Sequence, residues 1–203
     1  MTELVFIVTD TNIFRYVVES GFQKKFVHVC STLSLKIVTV IQVEREIQRY
    51  PACQGLFTHL QELGIAYEYS TPERLKTQEN NMYETLTRAL DDADAASIPV
   101  AILNDWLLLT NDDEAVTVFK SSFPPLFKKL KLMSFESLLY LAYQQGIIDV
   151  DEGERILAAY KSNCFESEQR QNRRIRGRNF LELVTFMHDQ GISPLNFLFP
   201  ESP

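Results

Sequence analysis

A chain of 203 residues, 45% apolar and 23% charged, is long enough for one domain with a full core plus a helical appendage, and no low-complexity stretch in it suggests disorder. A net charge of -7 argues against a protein that coats nucleic acid through surplus Lys and Arg, although a nuclease can gather carboxylates in one pocket and keep local basic patches for phosphate. Cys30, Cys53 and Cys164 have neither zinc nor disulfide-framework spacing, and no signal peptide or membrane-length apolar run is visible, so the expectation is a cytoplasmic protein with no membrane association.

The chain opens on a short apolar run, residues 4–9, of the kind found in strands buried on both faces of a parallel sheet, and this run stops at Asp10. Helices are predicted over 12–19 and 22–29, followed by a strand over 35–38. Thr39 with Gln42 matches a capping box and predicts a helix over 40–49, ended by Pro51. A helix over 54–63 should stop at Gly64, with a strand over 65–69 behind it. Thr71-Pro72-Glu73 reads as a helix start, with a capping Thr, Pro at the first helical position and an acid in the first turn. The exposed helix it opens runs to Arg88, and another spans 91–103. A short apolar strand, 106–109, then runs into Thr110-Asn111-Asp112-Asp113, and after a Pro124-Pro125 loop residues 129–133 supply the last strand. This alternation predicts a parallel α/β sheet. Beyond it the chain is helical: 134–145 closed by Gly146, 152–161 capped by Asp151 with Glu154 completing a box, an Arg-rich linker, a last helix over 179–190, and a Pro-rich tail.

Each acid alone has an innocent reading, as a helix cap or a solvated helix residue. Taken together they say more. Asp10 and Asp112 directly follow buried strands, and Glu46 and Asp94 lie in the first two turns of helices that follow loops. All four can face one edge of the sheet, where open α/β proteins bind ligands. Carboxylates that close repel one another unless cations sit among them, and all-oxygen ligands suit Mg²⁺ or Mn²⁺.

Asp10-Thr11-Asn12, Val43-Glu44-Arg45-Glu46-Ile47, Asp94-Ala95-Ala96-Ser97-Ile98 and Leu109-Thr110-Asn111-Asp112-Asp113, in that order, make residues 4–133 resemble the PIN-domain nuclease family. The resemblance implies a PIN-like three-layer α/β/α domain with a central, mainly parallel sheet over residues 1–133, and a helical C-terminal extension over 134–203. It makes Asp10, Glu46, Asp94 and Asp112 the catalytic quartet. Asp10, Asp94 and Asp112 would be metal ligands, with Asp113 a substitute or fifth acid. Thr11 and Asn12 would order the loop, and Thr110 would orient the site. The V-x-x-E-I match selects Glu46 over Glu44, which would point to nearly the opposite side of the helix. Pro99 departs from the family pattern, and a bend there leaves Asp91 and Asp92 as alternatives to Asp94.

The implied activity is a Mg²⁺- or Mn²⁺-dependent endoribonuclease, with RNA as substrate and, in a toxin role, an antitoxin protein as partner. The rivals are a non-catalytic PIN-like regulatory or protein-interaction module and a structure-selective DNA nuclease. His28, His59 and His188 have no metal spacing, and the aromatics of 119–135 read as core. The one basic concentration, Arg170, Arg173, Arg174, Arg176 and Arg178, reads either as a solvated connector or as a contact for RNA or an acidic partner, with Arg173, Arg174 and Arg176 the substrate candidates. The last helix could pack on the domain or dock onto a second copy as a homodimer.

Overall fold

The computed structural model describes residues 4–191, and the Pro-rich tail lies outside them. Five short strands, β1 (Val5–Thr9), β2 (Leu35–Thr39), β3 (Ala66–Glu68), β4 (Leu107–Leu109) and β5 (Lys131–Met133), form one sheet in the order β3-β2-β1-β4-β5, with every neighbouring pair parallel. The opening run is therefore the central strand, and its Ile7 and Val8 are fully buried.

Helices α1 (Thr11–Glu19), α2 (Gln23–Thr32), α3 (Ile41–Ile47) and α4 (Pro51–Glu62) connect strands that step outward from β1 to β3. Helices α5 (Lys76–Leu86), α6 (Asp92–Leu103), α7 (Asp113–Ser122) and α8 (Pro124–Phe127) serve the return to β4 and β5. The return crosses the sheet in the opposite direction, so right-handed crossovers put the two sets on opposite faces and produce the expected α/β/α layering. Helices α9 (Phe135–Gln144), α10 (Val150–Cys164) and α11 (Phe180–Asp189) complete the described chain, with α10 against α1 and α11 against α9 and α10.

Several local expectations are corrected. Thr39 does not cap α3. It ends β2 and gives its hydroxyl to Glu44 (2.7 Å), and Val40 occupies the cap position without a side-chain bond. Thr71 likewise donates to Glu79 (2.8 Å), so a single 3₁₀ turn, Glu73–Leu75, comes before α5. The cap of α10 is Asp149, whose carboxylate accepts from the Glu152 N–H, and Glu154 accepts from the Phe180 N–H instead of closing a box. Residues 124–127 form a helical turn, because proline is tolerated in the first turn of a helix.

The Arg-rich segment is anchored. Ile175 is fully buried, Arg176 donates to the carbonyls of Glu168, Gln169 and Gln171, and Arg178 donates to those of Arg173 and Arg174 while lying over the Phe186 ring. Tyr160 of α10 packs 4.6 Å from Phe135 and 5.0 Å from Tyr16 between ring centroids. A buried ring of this kind contributes on the order of 1.5–3 kcal/mol. Phe180, Leu183 and Met187 turn the inner face of α11 into the core, so the last helix packs on its own chain.

Candidate functional site

The strand order reverses at β1. The chain builds outward to β3 and then returns to place β4 on the other side of β1, so the carboxyl ends of β1 and β4 form the switch point at which open α/β sheets usually bind ligands. Thr9 pairs with Leu109, which makes Asp10 and Thr110 neighbours there.

Asp10 is held at both oxygens. Oδ1 accepts from the Ile13 N–H (2.9 Å), capping α1, and Oδ2 accepts from the Thr110 hydroxyl (2.5 Å). Burial pushes its carboxyl up to about 6; the bonds from Thr110 and Ile13 counter the rise, and the charge of Asp112 adds to it. The Thr110 hydroxyl also accepts from the Asp112 N–H (3.0 Å), so one side chain ties the β1 and β4 loops together. Asp112 caps α7 through the Ala115 N–H (2.8 Å).

Glu46 reaches the same region from α3. Its Oε2 accepts from the Thr11 hydroxyl (2.7 Å), whereas Glu44 is engaged by Thr39. Asp94, 8% exposed, lies in the first turn of α6, and its carboxyl is pushed up to about 8, first by burial and then by the charges of Asp10, Asp91, Asp112 and Glu46. The orientation of this turn is set at Asp91, whose side chain caps the Asp94 N–H (3.0 Å). Asp91 is thus occupied as a cap, and the exposed Asp92 accepts from Tyr83 (3.2 Å). Pro99 sits inside α6, one turn beyond Asp94; it lacks the N–H that would bond the Ala95 carbonyl and leaves the capped first turn intact.

Asp10, Glu46, Asp94 and Asp112 are therefore brought together, with Thr11 and Thr110 bonded to two of them. Asp113 is not in the group. It is exposed, begins α7, and faces Arg174 at 3.8 Å. Asn12 is half-buried in the first turn of α1, where its backbone N–H bonds Asp10.

No ion pair among the described residues neutralises any of the four clustered acids. No group of three or more His, Cys, Asp or Glu side chains among the described residues is placed to hold a metal ion. Burial first, and neighbouring acids after it, raise the carboxyls of Asp10 and Asp94, so the cluster joins two buried carboxyls to the half-buried Glu46 and Asp112. Oxygen donors of this kind are the type that hard divalent cations take.

Sequence reasoning missed Glu136. This fully buried carboxylate, on the first turn of α9, accepts at Oε1 from Asn111 (2.9 Å), Tyr160 (3.2 Å) and Asn172 (2.5 Å). The available signal was a single acid inside the otherwise apolar run Phe135-Glu136-Ser137-Leu138-Leu139. No helix among the described residues is long and apolar enough to cross a membrane. No protein-family model, curated protein or solved structure matches the chain.

Proposed function

We propose that the carboxylate cluster is the active site of a divalent-metal-dependent nuclease that hydrolyses phosphodiester bonds in RNA. The observation that carries this reading is Asp94, a buried carboxylate whose nearby charges are chiefly acids, at the ligand-binding edge of a parallel sheet. Asp10, Glu46, Asp94 and Asp112 would hold Mg²⁺ or Mn²⁺. When bound, such an ion supplies an activated water and stabilises the charge that develops on the phosphoryl oxygens.

The chain's own residues do the positioning. Thr110 fixes the rotamer of Asp10 and the path of the Asp112 loop together, and Thr11 holds Glu46. A cluster of acids with no ion-pair partner among the described residues repels a phosphodiester, so substrate and cation must enter as partners, and activity should vanish in chelator. Purified protein should cleave single-stranded RNA with Mn²⁺ or Mg²⁺, and Asp10→Asn should lower the rate on the order of 10²-fold or more, in the range seen when one charge-stabilising group is removed from an active site. Unchanged cleavage by Asp10→Asn would sink the assignment. Faster cleavage of branched DNA than of RNA would move the reading to a structure-selective DNA nuclease.

The rival reading is a non-catalytic module that binds a protein partner. Mn²⁺ titration separates the two, because a ligand that binds the native state raises its thermal midpoint. In a toxin setting, co-expression with an antitoxin would suppress the RNA cleavage.

A further inference from the structure

A cavity of about 610 Å³ lies beside the acid-bearing loop and is lined by Arg173, Arg174, Arg176, Asn172, Gln171 and Asp113. Its arginines are not equivalent. Arg176 spends its donors on three main-chain carbonyls and therefore holds the shape of the segment. Arg174, half-buried, lies between Asp113 (3.8 Å) and Glu136 (3.9 Å), close enough for attraction and too far for hydrogen bonds. Arg173 is exposed, and its guanidinium makes no hydrogen bond or ion pair among the described residues. Two guanidinium forks on consecutive residues thus face one cavity, that of Arg173 without a protein partner among the described residues and that of Arg174 held only by long ion pairs, and such forks match phosphate oxygens bidentately.

Glu136 fixes where this cavity sits. Its Oε1 binds Asn111, the residue between Thr110 and Asp112, and also Asn172, whose own Oδ1 accepts from the Arg174 N–H (2.9 Å). Its Oε2 is buried with no hydrogen-bond partner and faces Arg174. A buried carboxylate of this kind needs a nearby cation, so Arg174 stays at the cavity while its fork remains available.

We propose that this cavity is a subsite for a backbone phosphate of single-stranded RNA, gripped by Arg173 and Arg174 while the carboxylate cluster acts on a neighbouring linkage; the assignment rests on the hydrolytic reading above. The phosphate replaces Asp113 as the partner of Arg174, and Asp113 turns to solvent. Its side chain is already 75% exposed, so little is lost. Glu136 stays beneath Arg174 throughout.

The test is fluorescence anisotropy with a ten-nucleotide RNA labelled at its 3′ end, on the full chain in EDTA, over a range of salt. Arg173→Ala should weaken binding about tenfold and flatten the log–log salt slope by about 0.7, the contribution of one contacted phosphate on a single strand. Arg174→Lys keeps the charge that Glu136 needs but loses the fork, and should weaken binding with a smaller change of slope. Arg74→Ala, an exposed arginine next to the far edge strand β3, should change neither.

Equal effects of Arg74→Ala and Arg173→Ala, or no effect of Arg173→Ala, would overturn the subsite. So would displacement of the RNA by polyglutamate as readily as by unlabelled RNA, which would assign the cavity to an acidic protein. Comparing 5′-phosphorylated with 5′-hydroxyl strands, and adding inorganic phosphate, identifies a terminal or an internal phosphate as the occupant, and both support the subsite. Arg173-dependent binding without cleavage in Mn²⁺ would remove the hydrolytic reading alone. Cleavage with a KM indifferent to Arg173→Ala would remove the subsite alone.

Discussion

Asp94→Asn should stabilise the metal-free protein in alkaline solution. Burial beside Asp10, Asp91, Asp112 and Glu46 raises the Asp94 carboxyl from its ordinary 3.8 to about 8. Between those values the folded chain holds a proton that the unfolded chain has released. The stability associated with this group is therefore complete below about pH 4, falls as pH rises, and is fully lost above about pH 8. Asp10, raised to about 6, has the same sign over a narrower window. A gap of about four pH units at 1.36 kcal/mol each sets a ceiling of roughly 5–6 kcal/mol. Side-chain relaxation and water entry reduce this to about 2–5 kcal/mol, since buried charges behave as if the local dielectric were well above that of dry protein. In a protein of this size that is roughly 5–15 °C in thermal midpoint. Urea unfolding in EDTA should show wild type losing stability between pH 5 and pH 9, with the variant's advantage over it small at pH 5 and largest at pH 9. Added Mn²⁺ at 100 times its Kd should then raise wild type by about 2.7 kcal/mol and the variant by much less. A variant less stable than wild type at pH 9, or one that gains as much from Mn²⁺, would refute the electrostatic account.

Two further outcomes bear on other parts of the molecule. Glu46→Gln should lower RNA cleavage about 10- to 100-fold, as loss of a metal-site carboxylate or its orienting partner does, while Glu44→Gln, engaged by Thr39, should leave the rate unchanged; equal losses would reverse the register of α3. Gly153→Ala places a Cβ 2.2 Å from the Phe180 ring, and overpacking of this kind costs about 1–3 kcal/mol. Its urea midpoint should fall, and in a Phe180→Ala background the same change should cost less, because the two residues share one space.

The clustering of the acids was legible where it depended on strand ends. A parallel register turns the statement that a strand ends in an acid into a statement about neighbours: with Thr9 opposite Leu109, the residues that follow each must meet. Helix periodicity made it legible that only one of Glu44 and Glu46 could serve, since two residues along α3 is slightly more than a half-turn, and the V-x-x-E-I resemblance chose Glu46. Where side chains were claimed over distance, the sequence was silent or misleading. Thr39 and Thr71 look like caps, but their hydroxyls go to Glu44 and Glu79, carboxylates five and eight residues further on. Glu136 gathers partners 24 to 36 residues away, which no local pattern announces. The Arg-rich stretch read equally as a solvated connector or a contact for RNA or an acidic partner, and only the burial of Ile175 and the carbonyl bonds of Arg176 and Arg178 show how it is held.

The three residues after β4 explain how the carboxylate cluster and the arginine-lined cavity come to lie side by side in one small protein. Thr110 points to Asp10, Asn111 turns to Glu136 and Tyr160, and Asp112 caps α7, so successive side chains leave the loop in different directions and each is fixed by a partner on another element. A loop bonded at three consecutive positions cannot shift at one end without straining the other. The Asn111 side-chain Oδ1 also accepts from the Phe135 N–H (2.7 Å), which locks the start of α9, and hence Glu136, to the same loop. If the carboxylates act on RNA and the arginines hold its backbone, as proposed, a strand of regularly spaced phosphates would be held off at one linkage and gripped at another until a cation reversed the sign of the acidic side. On this account metal loading should change where the backbone rests as well as whether it reacts.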